Sequence, residues 1–441
     1  MSAAVEAHRF TPSEVRRAML AGTVGNVLEW YDFAVYAFLT PTLGPLFFPS
    51  DSRGASMLAA FSVFAVGYFM RPVGGVVLGQ IGDRHGRRAM LTASIVIMGA
   101  SSFLIGLLPT SASAGLLAPI GLVVLRMAQG FSVGGEYTGS MTYTAEIAPP
   151  HRRGLLSSLA TAGALTGLLL GQATDWALSE SLTRESVSSW GWRLPFLCGL
   201  PMAMLGLWLR SHVPESGEGP VHHSSTLREL WRHWRALVGI IAIVTGANLV
   251  FYIANVFLIE RLAIKAPELA SGYGGANTIC FAGEVVCILL GGWLSDLYGR
   301  RRISLIATAI MMAMIVPSFA LLLEEGVVFE ALQSVVPSLR VTPPLALLAL
   351  MLVGAPLSVL LGVQGAMIVE FTPKALRCRL FGVAYSLAMA CFCSTGPVIS
   401  GVFVEHWNQP DFPMLYCLAF GLVAMVALWR IAEPHRVGAE V

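Results

Sequence analysis

The chain has 441 residues, 55% of them hydrophobic and 12% charged, with 45 glycines and a mean hydropathy of +0.70. A soluble protein carries about a quarter charged residues, so this chain lacks the polar material for a water-facing surface. A soluble enzyme and a disordered chain are excluded. The net charge of +2 provides no basic field for a polyanion and excludes nucleic acid as a partner.

Runs of about 20 mostly apolar residues, the length that crosses a bilayer, begin near residues 18, 57, 88, 115, 154, 192, 236, 273, 302, 343, 379 and 412. The first run is too long for a cleavable signal and lacks a small-residue cleavage pattern, so it is expected to remain as the first span. The longest polar stretch, 211–235, separates six spans from six. The expected fold is an all-α membrane protein of twelve transmembrane helices in two pseudo-symmetric halves. Residues 1–210 form the first six-helix bundle, 211–235 a cytoplasmic linker and 236–441 the second bundle. Seven cysteines, six of them in apolar runs, show no zinc-type spacing and read as small packing residues. No metal site is expected.

Charge sets the orientation. Twenty of the 28 Lys and Arg residues fall in the segments on the N-terminal side and six on the opposite side, with Arg71 and Arg126 alone inside spans. The positive-inside rule then places both termini in the cytoplasm. The halves also repeat. GQIGDRHGRR (Gly79 to Arg88) follows span two and GWLSDLYGRR (Gly292 to Arg301) follows span eight, while EIAPPHRRG recurs after span ten as EFTPKALR. Such a repeat indicates a transporter with its substrate site near the midplane between the halves.

These loops resemble the signature of the major facilitator superfamily. A narrower similarity, to the metabolite:proton symporters, lies in GNVLEWYDFAVYAF (Gly25 to Phe38), FMRPVGG (Phe69 to Gly75), RMAQGFSVGGEYTG (Arg126 to Gly139) and WGWRLPF (Trp190 to Phe196). In wording the first half is nearest to proline/betaine carriers. The resemblance implies a conformational latch at Gly79, Asp83, Arg84, Gly86, Arg87, Asp296 and Arg300. Glycines there permit tight turns and close helix approach, and the aspartates cap helices or pair with arginine. The alternative is a positive-inside loop with turn glycines.

Ionisable groups inside a membrane are costly and point to function. Glu29 and Asp32 share one face of span one, and span four holds Arg126 and Glu136. A carboxylate whose proton affinity depends on a nearby arginine can couple proton movement to substrate binding. The proton-coupling candidates are therefore Asp32 with Arg126, then Glu29, then Glu136; a static ion pair between spans one and four is the alternative. All nine histidines fall in loops, termini or span ends. Arg71 precedes Pro72 and either satisfies carbonyls freed by the proline or holds substrate.

Trp30, Tyr31 and Tyr36 offer cation–π surfaces for an alkylammonium, and Arg126 suits a carboxylate. Asn248, Tyr252 and Asn255, spaced four and three, present polar groups on one face of span seven. A zwitterion uses all of these features; an organic acid uses fewer. Two motifs are set aside. Gly130 to Gly134 fits the serine-nucleophile pattern but lies in a membrane helix without a histidine. Gly163, Gly167 and Gly171 form a helix-packing seam. The expected activity is proton-coupled import of a small carboxylate-bearing solute, in the inner membrane, by a monomer without cofactor beyond the proton gradient and without catalytic residues. A proton antiporter and a transporter-like sensor are the alternatives.

Overall fold

The computed structural model describes residues 11–50, 53–212 and 232–431, and among these the chain is helical with no strand. Its long helical runs are α1 (Pro12–Phe47), α2 (Arg53–His85), α3 (Arg87–Leu107), α4 (Leu117–Ile147), α5 (Arg153–Ser181), α6 (Arg184–Ser211), α7 (Trp234–Lys265), α8 (Ala270–Tyr298), α9 (Arg300–Leu323), α10 (Pro343–Phe371), α11 (Arg377–Glu405) and α12 (Phe412–Arg430). Runs α3 to α12 are long and apolar enough to cross a membrane. With 36 and 33 residues, α1 and α2 are also long enough, and each expected span coincides with one helix. Most of the expected linker, residues 213–231, lies outside the described residues.

Local chemistry sets the ends of these helices. Thr11 and Glu14 form a reciprocal capping box at the start of α1: the Thr11 N–H donates to Glu14 Oε2 at 2.7 Å, and the Glu14 N–H donates to Thr11 Oγ1 at 3.3 Å. Gly86 and Gly299 hold φ of 97° and 98° between α2 and α3 and between α8 and α9. A side chain is disfavoured in that conformation, so each repeat needs its glycine.

Contacts divide the chain into two compact units. The first comprises Met1–Pro150, Leu159–Arg228 and Pro373–Ser386; the second comprises His151–Ser158, Glu229–Thr372 and Leu387–Val441. The two short segments, 373–386 and 151–158, each follow one copy of the E-x-x-P repeat.

In the first unit α2 crosses α4 at backbone contact. A Cβ on Gly74 would collide with the Phe131 carbonyl, one on Gly130 with that of Gly67, and one on Gly134 with that of Arg71. The pattern that imitates a serine nucleophile is thus a helix crossing, and the Ser132 hydroxyl donates to the Ser94 carbonyl at 2.7 Å. Gly163, Gly167 and Gly171 of α5 lie against Thr23, Val27 and Ala34 of α1. The second unit repeats the device between α8 and α10, where Gly291 meets the Val359 carbonyl and Gly362 that of Ile288. Small residues let backbones approach where lipid gives no hydrophobic drive for packing.

Candidate functional site

One face of α1 gathers the chemistry of the first unit. Trp30 packs edge-on against Tyr137 of α4, with ring centres 5.7 Å apart, and Phe33 packs edge-on against Tyr68 of α2 at 5.3 Å. Arg71 reaches into this group from the next turn of α2. Its guanidinium carbon lies 3.9 Å from the Tyr68 ring centre, 4.6 Å from Phe33 and 5.7 Å from Trp30. The side chain is 1% exposed, and Nε, Nη1 and Nη2 all lack a hydrogen-bond partner. Aromatic faces return part of the cost of burying a cation, but they supply no acceptor for its N–H groups. Arg126 lies on the same aromatic group, 4.6 Å from Phe33 and 4.1 Å from Tyr36.

Asp32 and Arg126 are linked through two side chains. Ser102 of α3 donates to Asp32 Oδ2, the Gln129 amide donates to Ser102 Oγ at 2.6 Å, and Arg126 Nη1 donates to Gln129 Oε1 at 2.8 Å. All four residues are buried. Glu29 is also buried, and neither of its oxygens has a hydrogen-bond partner. Glu29, Asp32 and Glu136 line one cavity with Ser94 and Ser132; its volume of about 10 Å³ admits a single water-sized guest.

Three expectations change here. Glu136 pairs with Arg210 of α6, whose Nη1 donates to the Leu91 carbonyl. Arg210, counted among the membrane-face cations, is thus 3% exposed inside the helix bundle; Gly25 of α1 leaves room for it. Arg71 and Arg126 therefore share the interior of the spans with Arg210. Tyr31 and Tyr36 belong to an apolar cluster with Leu39, Leu43, Phe47 and Trp192. The Tyr36 hydroxyl donates to the Ala60 carbonyl at 3.0 Å. Trp30 stays with Arg71, whereas Tyr31 does not join it.

In the second unit the expected polar face of α7 is interrupted. Asn248 donates its amide to Val244 of its own helix at 2.9 Å, and Tyr252 packs on Phe251. The turn Ile253–Leu258 is π-helical. Its wider i→i+5 winding departs from the α-helical spacing at Asn255, which is buried. At one end of this unit Lys265 and Arg261 contact Glu325 at 2.8 and 2.9 Å. Burial pushes the Glu325 carboxyl upward, but the hydrogen bond and charge of Lys265, aided by Arg261, outweigh it and hold the carboxyl below its ordinary value.

The repeated loops build two matching ion networks. In the first unit Asp83 accepts the N–H groups of Cys378 and Arg379 at 3.2 and 3.1 Å, at the start of α11. Arg87 contacts Asp83 at 2.7 Å and Glu146 at 3.2 Å, and Arg377 contacts Glu146 at 2.8 Å. Gly79 allows α2 to pass close to the Arg379 backbone. In the second unit Asp296 accepts the N–H groups of Gly154 and Leu155, both at 2.8 Å, at the start of α5. Arg300 contacts Asp296 at 2.7 Å and Glu370 at 3.3 Å. A carboxylate on free N–H groups at a helix N-terminus is doubly favoured, by hydrogen bonding and by the helix dipole. Among the described residues Arg84 faces Gln80 one turn earlier and not this network.

Residues 18–224 match the family described as sugar (and other) transporter, and residues 236–440 match the major facilitator superfamily. The chain is 30% identical to a glycine betaine/proline/ectoine/pipecolic acid transporter of Dickeya dadantii, over 93% of this chain and 82% of that protein. It is 31% identical to an ectoine/proline transporter of Corynebacterium glutamicum, over 96% and 85% of the two chains. A proline/betaine transporter of Salmonella typhimurium is 29% identical over 94% and 82%. Among solved structures, a proton:xylose symporter bound to 6-bromo-6-deoxy-D-glucose superposes with a TM-score of 0.75 at 20% identity, covering 96% of this chain and 97% of the other. The partially occluded inward-open xylose transporter of E. coli gives 0.66 at 21% identity, covering 96% and 98%.

Proposed function

The chain belongs to the major facilitator superfamily of membrane transporters, and from that premise we propose that it is a proton-coupled symporter importing a small zwitterion with a carboxylate and an alkylated ammonium. One observation carries this reading. Arg71 is a buried cation surrounded by aromatic rings, and none of its three nitrogens has an acceptor. A buried, unpaired charge is costly, so the site is improved by an anion that binds bidentately. The solute carboxylate fills that role. The neighbouring Trp30 and Tyr137 rings suit the ammonium end, and the unpartnered Glu29 carboxyl adds an opposite charge nearby. Relatives that carry proline, glycine betaine and ectoine support the same chemical class.

Proton coupling is assigned to Asp32. Its link through Ser102 and Gln129 to Arg126 connects the protonation of one group to the position of the other. Glu29 and Glu136 share its cavity and provide further carboxyls for the proton. Asp83 and Asp296, with Arg87 and Arg300, act as latches that hold and release the helices they cap during alternating access, at the cytoplasmic ends of the spans in the inner membrane.

Counterflow in proteoliposomes tests the substrate class without any gradient. Unlabelled proline, glycine betaine, ectoine, shikimate, 2-oxoglutarate or citrate is loaded inside, and the matching labelled solute is added outside. Exchange with zwitterions and not with the three acids is expected. Exchange confined to the acids would overturn the zwitterion reading.

A further inference from the structure

The second unit contains a buried carboxyl that the transport scheme above does not use. Glu284 of α8 is 0% exposed. Its Oε1 accepts the thiol of Cys280 one turn earlier, at 3.5 Å, and its Oε2 has no hydrogen-bond partner. Asn277 lies two turns before Glu284 on the same helical face. It donates its amide to the Asn255 backbone carbonyl at 3.1 Å, so α8 meets α7 at the π-helical turn. The side-chain oxygens of Asn255 and Asn277 are both buried and both lack a donor. On the α10 side, Gly354 leaves room for the carboxyl, since a Cβ there would collide with Glu284 Oε1.

The charges around Glu284 decide its state. Its own helix presents Cys280 and Cys287, α7 presents the neutral Asn255 amide, which donates toward the carboxyl, and α10 presents Gly354. The charged groups of the neighbouring elements are engaged at the ends of the unit. Arg261 and Lys265 contact Glu325 at one end, and Arg300 contacts Asp296 and Glu370 at the other. Asp296 is twelve residues along α8 from Glu284, about 18 Å at 1.5 Å per residue. An ionised carboxylate without a cation is a costly state in such a setting. A protonated one has an O–H to donate, and the side-chain oxygen of the Asn255 amide beside it lacks a donor.

We propose that Glu284 is a second proton-loading site, lying in the second unit, with the Asn255 side-chain amide as its partner, donating to the carboxylate and turning its oxygen to accept the O–H. Loading forms an O–H bond at Oε2 from a proton delivered by water. Release breaks that bond, returns the proton to water and leaves the carboxylate; no other reactant is consumed. The π-helical turn gives α7 a local irregularity where this contact can open, since such turns interrupt the regular hydrogen-bond ladder. The inference extends the proton-coupled reading, but the occupancy of the site is measurable without any solute.

Infrared difference spectroscopy of the purified, lipid-reconstituted protein tests it directly. A protonated-carboxyl band is expected at neutral pH that shifts on exchange into heavy water, disappears in Glu284→Gln and persists in Asp32→Asn. Three results overturn the proposal: a band unchanged by Glu284→Gln, a band that never exchanges in heavy water, and a band displaced by sodium but not by choline, which would mark a metal-cation site. In transport, Glu284→Gln is expected to move one proton fewer per solute, read with an internal pH dye and labelled solute; an unchanged ratio would count against the site. If no proton gradient drives wild-type accumulation, the coupling reading fails while the infrared result still reports on Glu284.

Discussion

Arg71 is enclosed by Trp30, Phe33 and Tyr68, and its N–H groups await an acceptor. Replacing it with glutamine removes a charge-assisted contact with the solute carboxylate. Such a contact contributes about 2 kcal/mol, roughly a 30-fold loss of affinity. Arg71→Gln is therefore expected to raise the KM for counterflow by about that factor, while Tyr31→Phe, in the apolar cluster, leaves it unchanged. Equal effects would place the binding site elsewhere. Asp32, Glu29 and Arg126 are legible in the sequence because a charge in an apolar run stands out against its neighbours. Ser102 and Gln129, which join Asp32 to Arg126, are neutral polar residues of a kind that membrane helices often carry, and nothing in their spacing marks them. Arg210 misleads for a different reason. It is the penultimate residue of α6, where an arginine ordinarily snorkels to the surface; the small Gly25 on α1 instead gives it a buried place beside Glu136.

Helix packing in both units depends on glycines facing backbone carbonyls. Gly74 has no free volume, because its partner is the Phe131 backbone, which cannot rotate aside as a side chain would. Gly239 of α7 has nothing within 4 Å of a Cβ position. Gly74→Ala is expected to cost at least about 1–3 kcal/mol through overpacking and to lower the melting temperature in detergent; Gly239→Ala is expected to leave it unchanged. A stable Gly74→Ala protein would contradict the close crossing of α2 and α4. Apolar runs and turn glycines reveal all twelve helices from the sequence, since length and hydropathy are local properties. The π-helical turn at Ile253–Leu258 is not readable in this way. Nothing in the residues IANVFL distinguishes it from an α-helical turn, although it breaks the regular spacing expected for Asn248, Tyr252 and Asn255.

The internal repeat organises the whole molecule. Asp83 and Asp296 occupy matching places and cap the starts of α11 and α5, which follow the E-x-x-P segments of the opposite sequence halves. The repeat is visible in the sequence as two pairs of similar loops. Which helix each aspartate caps is not, because that depends on how the chain returns after ten spans. Loss of an aspartate cap costs about 1 kcal/mol. If capping and uncapping accompany turnover, Asp83→Ala should slow the maximal transport rate several-fold and leave the KM close to wild type. An unchanged rate would remove the latch role.

The claim that protons drive solute import through Asp32 is tested most directly by accumulation of labelled glycine betaine or proline in proteoliposomes, acidic outside and neutral inside. The expected result is accumulation above equilibrium that collapses on adding a protonophore, is lost in Asp32→Asn, and leaves counterflow by that variant intact. Accumulation in Asp32→Asn at the wild-type level, or wild-type uptake that merely equilibrates, would contradict it.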